Sequence, residues 1–281
     1  MMAAGLAGAL VLLGAGCGPL PSGTVEPPLR LELNVPAYRL ELCAAGRTLR
    51  SYRVAVGTRK YPTPLGEFRI SEVVWNPWWR PPDSPWARGR KVTPPGPENP
   101  LGRVRLSFRE LYHLHGTPDE ASLGSAASHG CVRLSNSEVV DLARRVVRGT
   151  SPAVREEELD RLASDPWRTS TVRLASPVPL RIVYEVAEVR DGRLEIHPDV
   201  YRRVGSRLGD EAIRVLREHG VADAEVDRAR LARLLEEARR GTVSAALEEL
   251  VRPGASARSV LLRREPGRGD PVPPAVPAPC V

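Results

Sequence analysis

Apolar and polar side chains alternate with a period of two through much of the first hundred residues. Leu31–Val35 (LELNV), Tyr38–Leu42 (YRLEL) and Ser51–Val56 (SYRVAV) each put every second residue on one face, the pattern of half-buried strands. Ala45-Gly46 supplies a hairpin turn between two of them. Gly57–Ile70 (GTRKYPTPLGEFRI) is a Gly/Pro turn feeding another strand. Alternation returns at Arg103–Phe108, and Leu111–His115 reads as a further strand. After Cys131 the period changes. Residues 137–147 (SEVVDLARRVV) place apolar positions at helical spacing, with Ser135 or Asn136 as N-cap and Gly149 at the end. Residues 153–169 read as a helical insertion, because strand character resumes at Thr171–Leu174 and Val178–Ala187. Two helices follow within Arg207–Glu249, one marked by Ala212, Ile213, Val215 and Leu216 and the other by Leu231, Leu234 and Leu235, with Gly220 between them. The expectation is a mainly β domain over 29–202 with a helix after Cys131, and a small helical appendage over 203–250.

The ends have a different character. Residues 3–16 form an apolar run of signal-peptide length, too short for a comfortable bilayer span and without a basic n-region. Small residues before Cys17 resemble a lipoprotein processing site, so residues 1–17 read as a signal and Cys17 as a lipidation site; an ordinary secretory signal with an incidental Cys is the alternative. Both readings export the protein, to the periplasm or cell envelope, with membrane attachment through Cys17 in the first. Residues 18–28 (GPLPSGTVEPP) are a linker, and 251–281 a Pro-rich disordered tail.

The chain has 281 residues, 42% hydrophobic and 27% charged, a globular composition. Its net charge of +7 and pI near 9.7 suit anionic partners. The positive charge is almost all Arg, since Lys occurs only at Lys60 and Lys91. No compact basic block or nucleic-acid motif accompanies it, so nucleic acid is set aside as a partner. A GC-rich coding sequence accounts for an Arg excess equally well.

Chemistry concentrates in Tyr112–Asn136 (YHLHGTPDEASLGSAASHGCVRLSN), which holds three of the five histidines and one of the four cysteines. A Cys with a His brought to it is the minimal kit for acyl transfer: the imidazole takes the thiol proton and the thiolate attacks a carbonyl. Glycines beside such a nucleophile let main-chain N–H groups approach the developing oxyanion. Either His115 or His129 could supply the base from sequence alone. His113 shares a strand face with His115 and reads as a structural histidine. A zinc site formed by His113, His115, His129 and Cys131 is a further reading. If Cys17 carries lipid and Cys131 is the nucleophile, Cys43 and Cys280 remain; they could pair in an oxidising compartment, although the place of Cys280 in the tail favours two separate thiols.

His115-Gly116-Thr117, then Ser122 and Gly124, then Ser128-His129-Gly130-Cys131-Val132-Arg133 resembles, in residue types and spacing, the catalytic motif of L,D-transpeptidases of the YkuD type, the bacterial cell-wall enzymes. Thr63, Pro64, Gly66 and Phe68 resemble the family's TP-x-G-x-F signature. Asp191-Gly192 with Asp199 and Tyr201 resembles a closing stretch of its exported murein branch, so the likeness covers roughly residues 29–202. The resemblance implies a β-sandwich or barrel-like catalytic domain. It implies Cys131 as nucleophile, His115 as base with the Gly116 carbonyl orienting it, and Gly130 and Cys131 N–H groups as oxyanion donors bordered by His129. Arg133 and Ser128 would meet substrate, with bracing of the loop as the other reading for both. The implied substrates are peptidoglycan stem peptides. The acyl group would pass to an amine, for cross-linking or for anchoring of an acceptor protein, and no cofactor or metal is implied. A thiol L,D-carboxypeptidase or amidase, or a non-catalytic wall-binding lipoprotein, are the alternatives.

Four of the five tryptophans (Trp75, Trp78, Trp79, Trp86) lie within residues 71–104, a Pro-stiffened stretch that resembles the loop bordering the substrate cleft in that branch. Trp78 is expected to contact substrate. Plugging a gap beside an irregular loop is the plainer use of any one of them.

Overall fold

A computed structural model describes residues 29–252. The signal, the lipidation site Cys17, the 18–28 linker and nearly all of the tail, including Cys280, lie outside the described residues. Alternating sequence becomes strand as expected in β1 (Arg30–Asn34), β2 (Arg39–Ala44), β3 (Arg47–Arg53), β4 (Val56–Gly57), β5 (Gly66–Trp75), β6 (Val104–Arg109) and β7 (Tyr112–Thr117), and two short strands that the pattern did not announce follow, β8 (Ala126–Ser128) and β9 (Val132–Ser135). The β2–β3 hairpin turns at Ala45 and Gly46, both at positive φ. Helices α1 (Asn136–Thr150) and α2 (Glu156–Ser164) precede a long strand, β10 (Ser170–Val183). Sequence suggested two strands at this point. They are one, interrupted by a register shift between Arg173 and Val178.

The main sheet has eight strands in the order β3-β2-β1-β10-β5-β6-β7-β9. Its pairs are antiparallel except β1 with β10 and β7 with β9. The fold is mainly β, as the alternation required. Helix α1 lies across β6, β7, β9 and β10 and buries Val139, Leu142, Ala143, Val146 and Val147. They join Leu31, Leu33, Leu40, Ile70, Val73, Trp75, Leu106, Leu114 and Leu134 in one core. Each such side chain removed from water contributes about 1.5–3 kcal/mol before chain entropy is subtracted.

Ser135 caps α1: its Oγ accepts from the Glu138 N–H at 3.2 Å and donates to the Glu138 carboxylate at 3.0 Å. Gly149 does not end the helix, which runs one residue further. A Cβ there would lie 2.3 Å from Leu29 Cδ1, so glycine serves the close approach of the incoming chain.

The C-terminal unit starts earlier and is less helical than the sequence suggested. Strands β11 (Ala187–Arg190) and β12 (Arg193–Ile196) pair with each other and with β13 (Val243–Ala246), and α3 (Leu208–Glu218) and α4 (Arg228–Glu237) accompany this sheet. A second core of Leu194, Ile196, Leu216, Val221, Val226, Leu231 and Leu250 holds the unit together. Val243–Ala246 is too short to announce a strand until Ile196 and Leu194 are seen opposite it.

Charge joins the two units. Arg39 of β2 donates to Glu188 at 2.6 Å and to Glu195 at 3.1 Å, and Arg190 reaches Glu41 at 2.8 Å. Glu188 also lies 2.7 Å from His197 Nε2, whose Nδ1 lies 2.9 Å from the Thr242 hydroxyl. Cys43 is buried on β2 and disulfide-bonded, not a free thiol; its partner lies outside the described residues. Among the described residues no helix is long and apolar enough to cross a membrane.

Ser135→Ala removes both capping bonds and leaves the α1 core face untouched. It should lower unfolding free energy by about 1 kcal/mol in urea denaturation, with an unchanged m-value.

Candidate active site

Strand pairing assembles the site. β7 carries His113 and His115 on one face, and its parallel pairing with β9 sets Leu114 opposite Val132 and His115 opposite Arg133. On the other side Arg105 of β6 lies opposite His115. Cys131 is the last residue before β9, so the nucleophile candidate sits at the mouth of the β7–β9 pair. Arg133 also exchanges two 2.9 Å main-chain bonds with Ala55, which ties the start of β9 to the chain entering β4.

The turn before Cys131 is pinned from within. Ser128 Oγ donates to the Cys131 carbonyl at 2.5 Å and accepts the Gly130 N–H at 3.0 Å. The Gly130 N–H, an expected oxyanion donor, is thus engaged by Ser128 in this structure. Gly130 has φ +110°, and a Cβ there would lie 2.7 Å from Tyr112 Cε1, so only glycine fits beneath that ring. Behind it Gly57 approaches Gly130 Cα so closely that a Cβ would sit at 2.9 Å.

The Thr-Pro signature acts from behind the site. Thr63 Oγ1 accepts from the Gly57 N–H at 2.9 Å. Tyr201 closes the same turn, its hydroxyl donating to the Gly57 carbonyl and accepting from the Thr63 N–H, both at 3.0 Å. Sequence reading placed Tyr201 only by likeness. Its link to residues 57–63 had no local signal, because 138 positions separate it from Thr63.

His115 is buried, with Nδ1 2.6 Å from the Gly116 carbonyl oxygen. A carbonyl only accepts, so Nδ1 holds the proton and Nε2 keeps a free lone pair. Burial pushes the His115 pKa down to about 4; the Gly116 bond opposes this, and Arg133 and Arg105 reinforce it. Burial likewise pushes the Cys131 thiol up to about 11, opposed by the His113 main-chain N–H and by Arg133 and Arg105. Thiol and imidazole are thus both neutral at rest, and the thiol contacts the Leu111 carbonyl at 3.4 Å. His113, expected as a structural histidine, has a main-chain hydrogen bond at Tyr112 that opposes the lowering of its pKa. Its Nδ1 is buried with no hydrogen-bond partner among the described residues, and burial, then Arg105 and His115, push its pKa down to about 3.

His129 is exposed and held between aromatic rings: Trp86 stacks on it at 4.2 Å between centroids and 15° between planes, and Tyr61 lies tilted at 4.8 Å. Burial, then Arg133, Arg90 and Lys60, lower its pKa. Trp86, which no sequence pattern singled out from its neighbours, is the tryptophan set against the motif. Trp78 is about half exposed, whereas Trp75 is fully buried and Trp79 nearly so. The loop carrying them is organised by Asn99, whose Nδ2 donates to the Pro77 and Pro94 carbonyls at 2.9 Å each. Arg133 is partly engaged already, with Nη1 3.5 Å from Ser122 Oγ and 3.7 Å from the Asp119 carboxylate.

The one cation-sized grouping of His, Cys, Asp and Glu among the described residues lies elsewhere, at Glu188, Glu195 and His197. It does not include His113, His115, His129 or Cys131. The Arg39 guanidinium occupies it, donating to both carboxylates.

Residues 28–155 match the family model described as the YkuD L,D-transpeptidase catalytic domain. A Bacillus subtilis protein named as the L,D-transpeptidase YkuD is 32% identical over 124 residues, 44% of this chain and 63% of its own length. An Escherichia coli protein named as the L,D-transpeptidase YcfS is 26% identical over 179 residues, 58% of this chain and 56% of its own length. The chain thus spans less than two thirds of each relative. The solved catalytic domain of an Enterococcus faecium L,D-transpeptidase covers 57% of this chain and 100% of that one, at 13% identity and a TM-score of 0.37, a likeness too distant to bear on the site.

The thiol pKa sets a pH dependence. With its pKa raised to about 11, Cys131 is almost all thiol at neutral pH, and the thiolate fraction grows about tenfold per pH unit below that value. Iodoacetamide alkylation of Cys131, followed by peptide mass spectrometry, should therefore accelerate steadily from pH 6 to pH 9. A rate already level at pH 6–7 would mean a preformed thiolate–imidazolium pair.

Proposed function

We propose, from the match of residues 28–155 to the YkuD L,D-transpeptidase catalytic domain, that this chain is a peptidoglycan L,D-transpeptidase working by cysteine acyl transfer. The observation that carries the mechanism is the 2.6 Å contact between His115 Nδ1 and the Gly116 carbonyl. It fixes the tautomer with Nε2 unprotonated, the state a general base needs.

The proposed donor is a tetrapeptide stem, cleaved between its meso-diamino acid and terminal D-Ala. As the Cys131 sulfur attacks the carbonyl carbon, its proton passes to His115 Nε2. Because both groups are neutral at rest, proton transfer accompanies attack and does not precede it. The Cys131 N–H is the main-chain donor best placed for the oxyanion, since the Gly130 N–H is engaged by Ser128. Arg105 and Arg133, which favour negative charge on the Cys131 sulfur, stabilise charge developing beside it. Collapse of the tetrahedral intermediate breaks the C–N bond, and His115 returns the proton to the departing D-Ala amine. An amine of a second stem peptide, or of an acceptor protein, then attacks the thioester. It loses its proton to His115, and the thiol is regenerated.

Arg133 can offer a guanidinium fork to a substrate carboxylate, exchanging its long contacts to Ser122 and Asp119 for a stronger one. Gly116 orients the base, Ser128 holds the turn, and His129 with Trp86 and Tyr61 forms an aromatic wall at the cleft. Trp78, about half exposed on the same Pro-rich stretch as Trp86, is the other aromatic side chain available to substrate. Export and attachment to a membrane through Cys17 complete the proposal and rest on residues 3–17.

Incubation with disaccharide-tetrapeptide should give a thioester adduct in intact-protein mass spectrometry, then transfer to an added amine acceptor. Cys131→Ala should abolish both by several orders of magnitude. His115→Ala should lower transfer about 10²–10⁴-fold, whereas His129→Ala should weaken transfer while leaving Cys131 alkylation largely intact. The reverse pattern assigns the base to His129. Release of D-Ala without any transferred product would point to a carboxypeptidase.

Lipidation has its own readout. The wild-type protein should require detergent for extraction and carry a lipid mass at Cys17, and Cys17→Ser should stay unprocessed or become soluble. A mature terminus several residues away, without lipid, would mean plain secretion.

A further inference from the structure

A cavity of about 700 Å³ lies where the C-terminal unit meets the main sheet. One wall is formed by β2 and β3 with the turn at Gly124 and Ser125, the other by residues 239–242 before β13. Neither Cys131, His115 nor any other residue given a role in transfer lines it. Four of its thirteen lining residues are arginines (Arg39, Arg53, Arg239, Arg240), and none is acidic.

These cations differ in how they are neutralised. Arg39 is consumed by Glu188 and Glu195, and Arg239 pairs with Glu236 at 3.2 Å. Arg53 and Arg240, one on each wall, have no carboxylate in ion-pair reach among the described residues. Both are exposed. The Arg53 guanidinium lies over Gly124, where a φ of +81° by itself favours glycine. Two uncompensated guanidinium groups facing across an acid-free cavity concentrate positive potential there.

We propose that this cavity binds an anionic saccharide carrying at least two oxyanion groups, one met by Arg53 and the other by Arg240. Guanidinium forks match phosphate and carboxylate oxygens in the same way, so both supply the required chemistry. The volume falls in the range of small-molecule sites and exceeds what a single inorganic ion would fill. Tyr38 and Ser51 add hydroxyls to the lining for a polyhydroxy scaffold, whereas those of Tyr52, Ser125 and Thr242 are engaged by Asp141, the Ser122 carbonyl and His197. The inference stands apart from the thiol chemistry. It would mark the C-terminal unit as one half of a binding site, a use for a segment that carries no catalytic motif.

Isothermal titration calorimetry on the full chain tests this with glucose 1,6-bisphosphate, digalacturonate and, as the uncharged control, maltose. Saturable binding of either charged probe, weakening as salt rises, is expected, with none for maltose. The probe that binds identifies the natural anion as phosphate or carboxylate. Arg53→Gln and Arg240→Gln should each weaken binding about tenfold, equivalent to about 1.4 kcal/mol. Arg214→Gln, on the outer face of α3, should not. Neither cavity variant touches the transfer machinery, so thioester formation on soluble stem peptide should be unchanged in both, which also reports that they fold. Absence of binding by both charged probes, equal binding of maltose, or affinity unchanged in both variants would overturn the proposal.

Discussion

The arrangement depends on the parallel pairing of β7 with β9 at the edge of the main sheet. Parallel neighbours need a connection that crosses over, and here residues 118–131 supply it without a long helix. That connection carries Ser122, Ser128, His129, Gly130 and Cys131. The pairing puts His115 opposite Arg133 and brings the end of the connection, with Cys131, back to the strand that bears His113 and His115. The edge is held by α1, which begins directly after β9. Asn136 Oδ1 accepts the Arg103 N–H at 2.9 Å, so closely beneath Gly116 that a Cβ there would lie 2.3 Å from this oxygen.

Around that pairing the structure trades stability for chemistry. A buried ring nitrogen without a partner costs free energy, and His113 Nδ1 is such a group among the described residues. Burial, and after it Arg105 at both rings and Arg133 at His115, keeps the two imidazoles neutral, while the same two arginines favour negative charge on the Cys131 sulfur against the burial that raises its pKa. The Cys131 thiol and the His115 imidazole are thereby both held neutral, unlike a cysteine whose thiolate is preformed by a neighbouring cation.

The second unit is more than an appendage. It shares a buried polar network with β1 and β2, in which Glu188 receives Arg39, Asn34 and His197 at once. Breaking one partner of such a network leaves the others desolvated and unpaired, so the two units are held in one relative position. Tyr201, at the junction, reaches back to the turn that supports Gly130. The supports of the loop that carries Cys131 thus come from segments far apart in sequence, residues 57–63 and Tyr201.

Short-range pattern alone determined the strands from Arg30 to Thr117, the helix after Ser135, the two helices flanking Gly220 and the grouping of histidines with Cys131. Alternation and helical spacing are written in neighbouring residues, and they persist whatever the chain later packs against. Contacts distant in sequence were decided only by tertiary structure. Trp86 and not Trp78 covers His129, the Gly130 N–H goes to Ser128, Gly149 makes room for Leu29, and Val243–Ala246 becomes a strand because β12 offers it an edge. The protonation states of Cys131 and His115 belong to the same class. Residue type sets their ordinary values, but burial and the approach of Arg105 and Arg133 across three strands set the actual ones, and neither burial nor cross-strand distance is a property of a linear sequence.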